Sequence, residues 1–198
     1  MSEDARRFSP SVERNRAPIL AALRPFLPAG STVLEIASGS GEHAAFVCEH
    51  VPDIVIQPTD RDPDALASIA AWRAHTRLPN LLAPLELDVR GAWPDIRADI
   101  VLSMNMIHIA PWTAAQGLLR GAAQILLPGG RLLLYGPFFR RGHPVAPSNL
   151  AFDADLRGRD PSWGIRDIDE IAVETDAFLA PDIVEMPANN LLLVFALA

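Results

Sequence analysis

Apolar residues along this chain fall into short blocks of two kinds. Compact runs bounded by turn residues, at about 32–37, 54–60, 85–87, 99–104 and 131–135, read as buried strands. Between them, apolar residues recur at helical spacing: Ala44, Ala45, Val47, Cys48 and Val51, then Leu66, Ile69, Ala70 and Trp72. The pattern predicts helices over about 42–51, 63–75 and 112–127, the last stopped by Pro128-Gly129-Gly130. A helical pattern returns near 167–178. Strands at about 182–186 and 191–197 follow, joined by the short Pro187-Ala188-Asn189-Asn190 segment, so the last pair is antiparallel. At the other end, residues 1–8 read as a mobile tail. Ser9-Pro10 starts a helix, Pro18 restarts a second apolar segment, and Pro28-Ala29-Gly30 closes it.

Alternating strands and helices predict an α/β fold, a Rossmann-like seven-stranded sheet that is mainly parallel with a terminal antiparallel pair. A single domain over 1–198 is expected. Residues 1–30 form its N-terminal helical cover, and 139–165, rich in Arg, Pro and Gly, its lid-like insertion.

Composition narrows the function. With 49% hydrophobic and 21% charged residues, the 198-residue chain can bury a real core. No apolar run approaches the roughly 18–20 residues of a membrane helix, and the charged start lacks a signal peptide's apolar centre, so a cytoplasmic protein is expected. All 17 basic residues are Arg, which excludes a P-loop, Schiff-base or general-base lysine. A net charge of −7 argues against nucleic acid as a partner. Cys48, the single cysteine, is expected to pack in the core, and no residue cluster has metal-ligand spacing.

In open α/β sheets ligands bind beyond the carboxyl ends of the strands. One rim then carries the Gly39–Gly41 turn, Asp60, Asp88, Asn105 and Tyr135. The turn's glycines let backbone approach a ligand, and Asp60 lies 19 residues past Gly41, the spacing of a carboxylate on a ribose. Asp60 is expected to accept both ribose hydroxyls, and Asp88 with the Val89 backbone to read an adenine edge. Backbone near Ala37 and Asn105 would hold an amino-acid end. An acidic rim suits a sulfonium cation better than a pyrophosphate. Glu35, inside a buried strand, needs donors such as loop N–H groups or an Arg.

Candidates for chemistry are His108, a base just past the fourth strand, and Tyr135, the only tyrosine and a polar handle for substrate. Each has a plainer reading, as a packed loop histidine and as a core ring. Asn105 either orients a nitrogen or holds cofactor. Asn149, Asp153, Trp163 and Arg166 belong to the lid, and Trp112 with Trp163 would wall an apolar or cationic ligand. Arg140, Arg141 and His143 are either an anion site or a solvated loop.

Five crossovers and a closing antiparallel pair form the layout of a class I methyltransferase. Further stretches sharpen this: Ser9-Pro10 with Glu13-Arg14-Asn15, Leu34 to Gly39 with Gly41-Glu42-His43, Asp60-Arg61-Asp62, and Asn105 to Trp112. Tyr135 to Phe138, Pro147-Ser148-Asn149, Phe152-Asp153, Trp163 to Asp167 and Met186 to Asn190 continue the pattern. On these the chain resembles a class I S-adenosylmethionine-dependent methyltransferase, and more closely the family around methyltransferase-like protein 26 and its bacterial relatives. The resemblance implies S-adenosylmethionine as cofactor, S-adenosylhomocysteine as product, and a small-molecule acceptor as partner. Residues implied in cofactor binding are Asn15, Glu35, Ala37, Gly39, Gly41, Asp60, Arg61, Asp88, Val89 and Asn105. Two alternatives stand beside it: a nicotinamide-dependent oxidoreductase, and a non-catalytic cofactor- or partner-binding module. A protein or RNA acceptor is disfavoured by size and charge.

Overall fold

The computed structural model describes residues 5–198. Five parallel strands form first: β1 (Thr32–Ile36), β2 (Val55–Asp60), β3 (Leu85–Glu86), β4 (Ala98–Met104) and β5 (Leu126–Gly136). The sheet order is β3-β2-β1-β4-β5-β9-β8 once two later strands, β8 (Asp182–Met186) and β9 (Asn190–Ala196), are included. Both of those pairings are antiparallel. A separate two-stranded ladder joins β6 (Phe138–Phe139) to β7 (Arg166–Asp167) and so pinches together the two ends of the 139–165 excursion.

Alternation within each strand splits the core into two layers. Leu34, Val101, Leu132, Leu134 and Leu193 face one side with Ala114, Leu118, Ala122 and Ile125 of α4 (Trp112–Ile125). Val33, Ile56, Leu102, Leu133 and Val194 face the other, against α1 (Pro10–Leu23) and α2 (Glu42–His50). Helix α3 (Pro63–Thr76) follows β2, its N-cap Asp62 accepting from the Asp64 N–H at 3.1 Å. Strands buried on both faces explain why the apolar runs are continuous rather than alternating. Cys48 is fully buried in the second layer, as its helical neighbours imply. Among the described residues no helix is long and apolar enough to cross a membrane.

Four local expectations change. Pro18 does not restart a helix: α1 runs through it, because Val12, Ile19, Leu20 and Leu23 bury one continuous face that outweighs the missing hydrogen bond. Pro128-Gly129-Gly130 forms its turn as a bulge inside β5, where the register jumps from Ala98↔Leu126 to Ile100↔Arg131. The Arg-, Pro- and Gly-rich excursion, for which no element was expected, carries α5 (Pro147–Arg159), and the helix expected over 167–178 shortens to α6 (Ile168–Ala172). The tail is anchored over its described part. Arg7 N–H donates to Ser68 Oγ at 2.8 Å, Trp72 Nε1 donates to the Arg7 carbonyl at 3.2 Å, and Phe8 meets the Trp72 ring edge-on at 5.2 Å. Residues 1–4 of that expected tail lie outside the described residues.

Candidate functional site

Two strand ends along the rim leave the sheet through left-handed backbone. Ala37 after β1 has φ 56° and Asn105 after β4 has φ 62°. Held in a non-glycine residue, that conformation costs about 1–3 kcal/mol, and such strain concentrates at functional sites. Gly41 (φ 84°) completes the turn in a place where a Cβ would stand 3.0 Å from Ile69, so glycine is required there twice over.

Two cavities meet at this turn. The first, of about 210 Å³, is walled by Leu87, Val89, Met106, Pro111 and Ala114, with Arg61, Asp88 and Arg90 at its rim. The second, of about 530 Å³, runs under residues 7–12, past Ser38, Ser40 and His43 to Met104 and Asn105. Ala37, Gly39, Asp60 and Ile109 line both.

Asp60 is buried at their junction. One of its oxygens accepts the Gly39 N–H at 2.9 Å and the other the Asp62 N–H at 3.0 Å. A carboxylate therefore occupies the glycine turn and uses its donor. Asp88 accepts Arg90 N–H and Nε–H on one oxygen, both at 3.0 Å, and the Arg90 fork holds its carboxyl down at about 2. Arg61 stands 4.0 Å from its other oxygen.

Glu35 departs from expectation. It is buried, lines neither cavity, and neither carboxylate oxygen has a hydrogen-bond partner among the described residues. Burial pushes it up to about 7, with the nearby Asp60 charge adding to the rise. Ser38 acts in the opposite direction, although its hydroxyl donates to the Glu35 carbonyl at 3.5 Å rather than to the side chain. At neutral pH Glu35 therefore keeps its proton about half of the time, where an ordinary glutamate would have lost it.

His108 does not line either cavity. Its ring is fully buried, sits edge-on to Phe138 at 4.8 Å, and both ring nitrogens are unpartnered among the described residues. Burial, reinforced by Arg166, lowers it to about 3. Position after a strand end indicates the rim but not which way the side chain turns. Tyr135 likewise turns into the second core layer, and burial raises its hydroxyl above the usual phenol range while a hydrogen bond from Asn15 opposes the rise.

The lid residues separate. Arg166 is a clamp: Nε donates to the Ile107 carbonyl at 2.9 Å, and one terminal nitrogen to the Ala110 and Ser162 carbonyls at 2.6 and 2.8 Å. Asp153 accepts the Ile165 N–H at 2.7 Å and Arg157 Nε at 2.8 Å. The Arg166 guanidinium lies 5.6 Å from the Trp112 ring and the Arg159 guanidinium 5.1 Å from the Trp163 ring. Asn149, bonded to the Asn189 carbonyl at 3.0 Å, borders a third cavity of about 240 Å³ with Phe138, Arg140 and Glu185. Arg140 in turn pairs with Glu185 at 2.6 Å. No group of His, Cys, Asp and Glu among the described residues can hold a metal.

The sequence reading gave His43 no role. It lines the second cavity, and its Nε2 lies 3.0 Å from Asn15 Oδ1. Its place in the first turn after the glycines was the available signal.

Residues 6–197 match the family model described as "Protein of unknown function (DUF938)". The chain belongs to this DUF938 family. The narrower likeness to the methyltransferase-like protein 26 family is not part of that result. Among solved structures, the DUF938 chain matches an O-methyltransferase family protein from Burkholderia thailandensis with a TM-score of 0.80 at 20% identity, over 95% of this chain and 57% of that one. Human N-acetylserotonin methyltransferase in complex with SAM matches at 0.77 and 14%, over 95% and 53%. An O-methyltransferase family 2 protein from Planctomyces limnophilus in complex with apigenin matches at 0.78 and 20%, over 95% and 60%. The DUF938 chain thus shares the methyltransferase fold and spans a little over half the length of these neighbours.

Proposed function

We propose that this protein is an S-adenosylmethionine-dependent methyltransferase acting on a small molecule. The observation that carries the reading is the buried Asp60 carboxylate on the Gly39 N–H. A dinucleotide's diphosphate would need that donor and would meet a negative charge, whereas a sulfonium cofactor meets an attractive one. The donor set fits an adenosyl group: an apolar slot for a purine, Asp60 with a free lone pair on each oxygen for ribose hydroxyls, and Asp88 with Val89 at the far edge. The cofactor supplies an activated methyl carbon. The chain's part is to bind, align and exclude water. Ala37 and Asn105 hold the turn and the 106–110 loop in fixed geometry, and Arg166 pins that loop from behind. A small acceptor is favoured by the second cavity's size and by residues 7–12 roofing it.

Titration calorimetry with S-adenosylhomocysteine and NADH tests the reading. S-adenosylhomocysteine should bind and NADH should not; the reverse defeats it. Asp60→Ala should lose roughly 1.5–3 kcal/mol of binding, about 10- to 150-fold in Kd, with the fold retained by circular dichroism.

A further inference from the structure

The glycine turn and the N-terminal segment over the larger cavity are joined through one residue, Ser40. Its carbonyl accepts the Ser68 hydroxyl at 2.7 Å, and the oxygen of that hydroxyl accepts the Arg7 N–H at 2.8 Å. Its own hydroxyl donates to Glu42 Oε2 at 3.0 Å, and the same oxygen accepts the Ser9 N–H at 2.6 Å. We infer that Ser68 and Glu42 are positioning residues: together they latch residues 7–9 onto the glycine turn and so set how fast a ligand enters and leaves the larger cavity.

Hydrogen-bond polarity fixes the direction of each tie. A backbone N–H only donates and a carbonyl only accepts, so the Ser68 proton goes to Ser40 and its lone pair faces Arg7. Glu42 takes two donors on one oxygen, one from the cover and one from the turn. Ser40 stands between Gly39 (φ 60°) and Gly41 (φ 84°), so the backbone that carries both ties is the turn itself.

Burial decides which ties matter. Ser68 is fully buried and Glu42 is 9% exposed. A third link, Arg7 to Asp62 at 3.6 Å, joins side chains that are more than half exposed. An exposed ion pair adds little, whereas removing one partner of a buried hydrogen bond leaves the other unsatisfied. The two inner ties therefore dominate. Neither Ser68 nor Glu42 lines either cavity at the turn, so each reaches a ligand only through the cover and the turn. Residues 7–12 and 38–40 are both walls of the larger cavity, and separating them opens it.

The inference rests on the cofactor reading for its ligand, and a second readout needs no ligand. In stopped-flow binding of S-adenosylhomocysteine, Ser68→Ala and Glu42→Ala should each quicken association and dissociation together, about five- to tenfold, with Kd held within threefold. The latch closes free and loaded protein alike, so both rates move. A Kd raised through dissociation alone would mean that the two residues merely shape the pocket, and unchanged rates would mean that nothing is latched; either result overturns the inference. Amide exchange in the free protein reads the latch directly. Ser68→Ala should speed exchange severalfold at Ser9 as well as Arg7, and Glu42→Ala at Arg7 as well as Ser9, with β4 and β5 unchanged. Acceleration confined to the N–H whose own partner was removed overturns the inference without any ligand. Failure of the unaltered protein to bind S-adenosylhomocysteine would defeat the cofactor reading and leave the exchange result to decide the latch.

Discussion

Glu35 places a titrating carboxyl where the core has nothing to pair with it, and this gives the protein a pH response of its own. Its ordinary value is 4.5 and its value in the fold about 7. Between those limits the folded chain keeps a proton that the unfolded chain releases. The contribution is therefore fully present below pH 4.5 and is lost as the pH rises through 7. A shift of that size corresponds to roughly 3 kcal/mol. Glu35→Gln removes the charge and should gain roughly 2–3 kcal/mol over the unaltered protein at pH 8, with little difference at pH 4.5. Urea unfolding at the two values measures this, and an equal difference at both would remove Glu35 as the cause. Asp60 was legible from its spacing because a strand end and a glycine turn fix where it stands. Glu35's orphaned state and His108's burial were not, since both depend on which long-range neighbours close over a side chain.

Helix α4 shows how an element sets the shape of the smaller cavity. A Cβ on Gly117 would lie 2.4 Å from the Val89 carbonyl, a backbone atom at the rim that cannot swing aside. The absent side chain therefore lets α4 sit flush against the segment that walls the smaller cavity. Gly117→Ala should cost about 1–3 kcal/mol by overpacking and also weaken S-adenosylhomocysteine, as Val89 is pushed away. Gly158 is the control: it sits exposed in α5 with nothing within 4 Å, so Gly158→Ala should stabilise by about 0.5–1 kcal/mol and leave binding unchanged. Thermal unfolding with calorimetry separates the two. The sheet strands were readable because their apolar runs are bounded by turns. Helix α5 was not, because it buries only Asn149 and Leu156 while Leu150 and Phe152 stay exposed, so no apolar face marks it. Pro18 misled for the converse reason, since local propensity lost to tertiary burial.

At the scale of the whole molecule, residues 7–12 act as a removable roof. They are tied to α3 through Ser68 and Trp72, and to α2 through the Ser9 N–H on Glu42 at 2.6 Å. Several of these ties are exposed: Phe8 is 64% accessible, and Arg7 and Asp62 are about half so. Segments with few buried contacts open at low free energy. Amide exchange over residues 7–12 should therefore be fast in the free protein and slow severalfold with S-adenosylhomocysteine, while β4 and β5 change little. Uniform slowing across all three would show global stabilisation instead. The overall architecture was legible because strand order follows from alternation and crossover rules. The roof was legible only in part: Ser9-Pro10 read as the start of the N-terminal cover, whereas Arg7 and Phe8, in a short charged stretch, read as tail.

Cys48 has a practical corollary. The only thiol of the chain is enclosed in the second core layer, and burial pushes it up to about 12. A maleimide or spin label added to the native protein should find nothing to react with, because the thiolate is both scarce and out of reach. One engineered surface cysteine then becomes a unique attachment point, with no need to delete the native residue. Reporters placed on either side of the smaller cavity would follow any change in its width in an otherwise silent background.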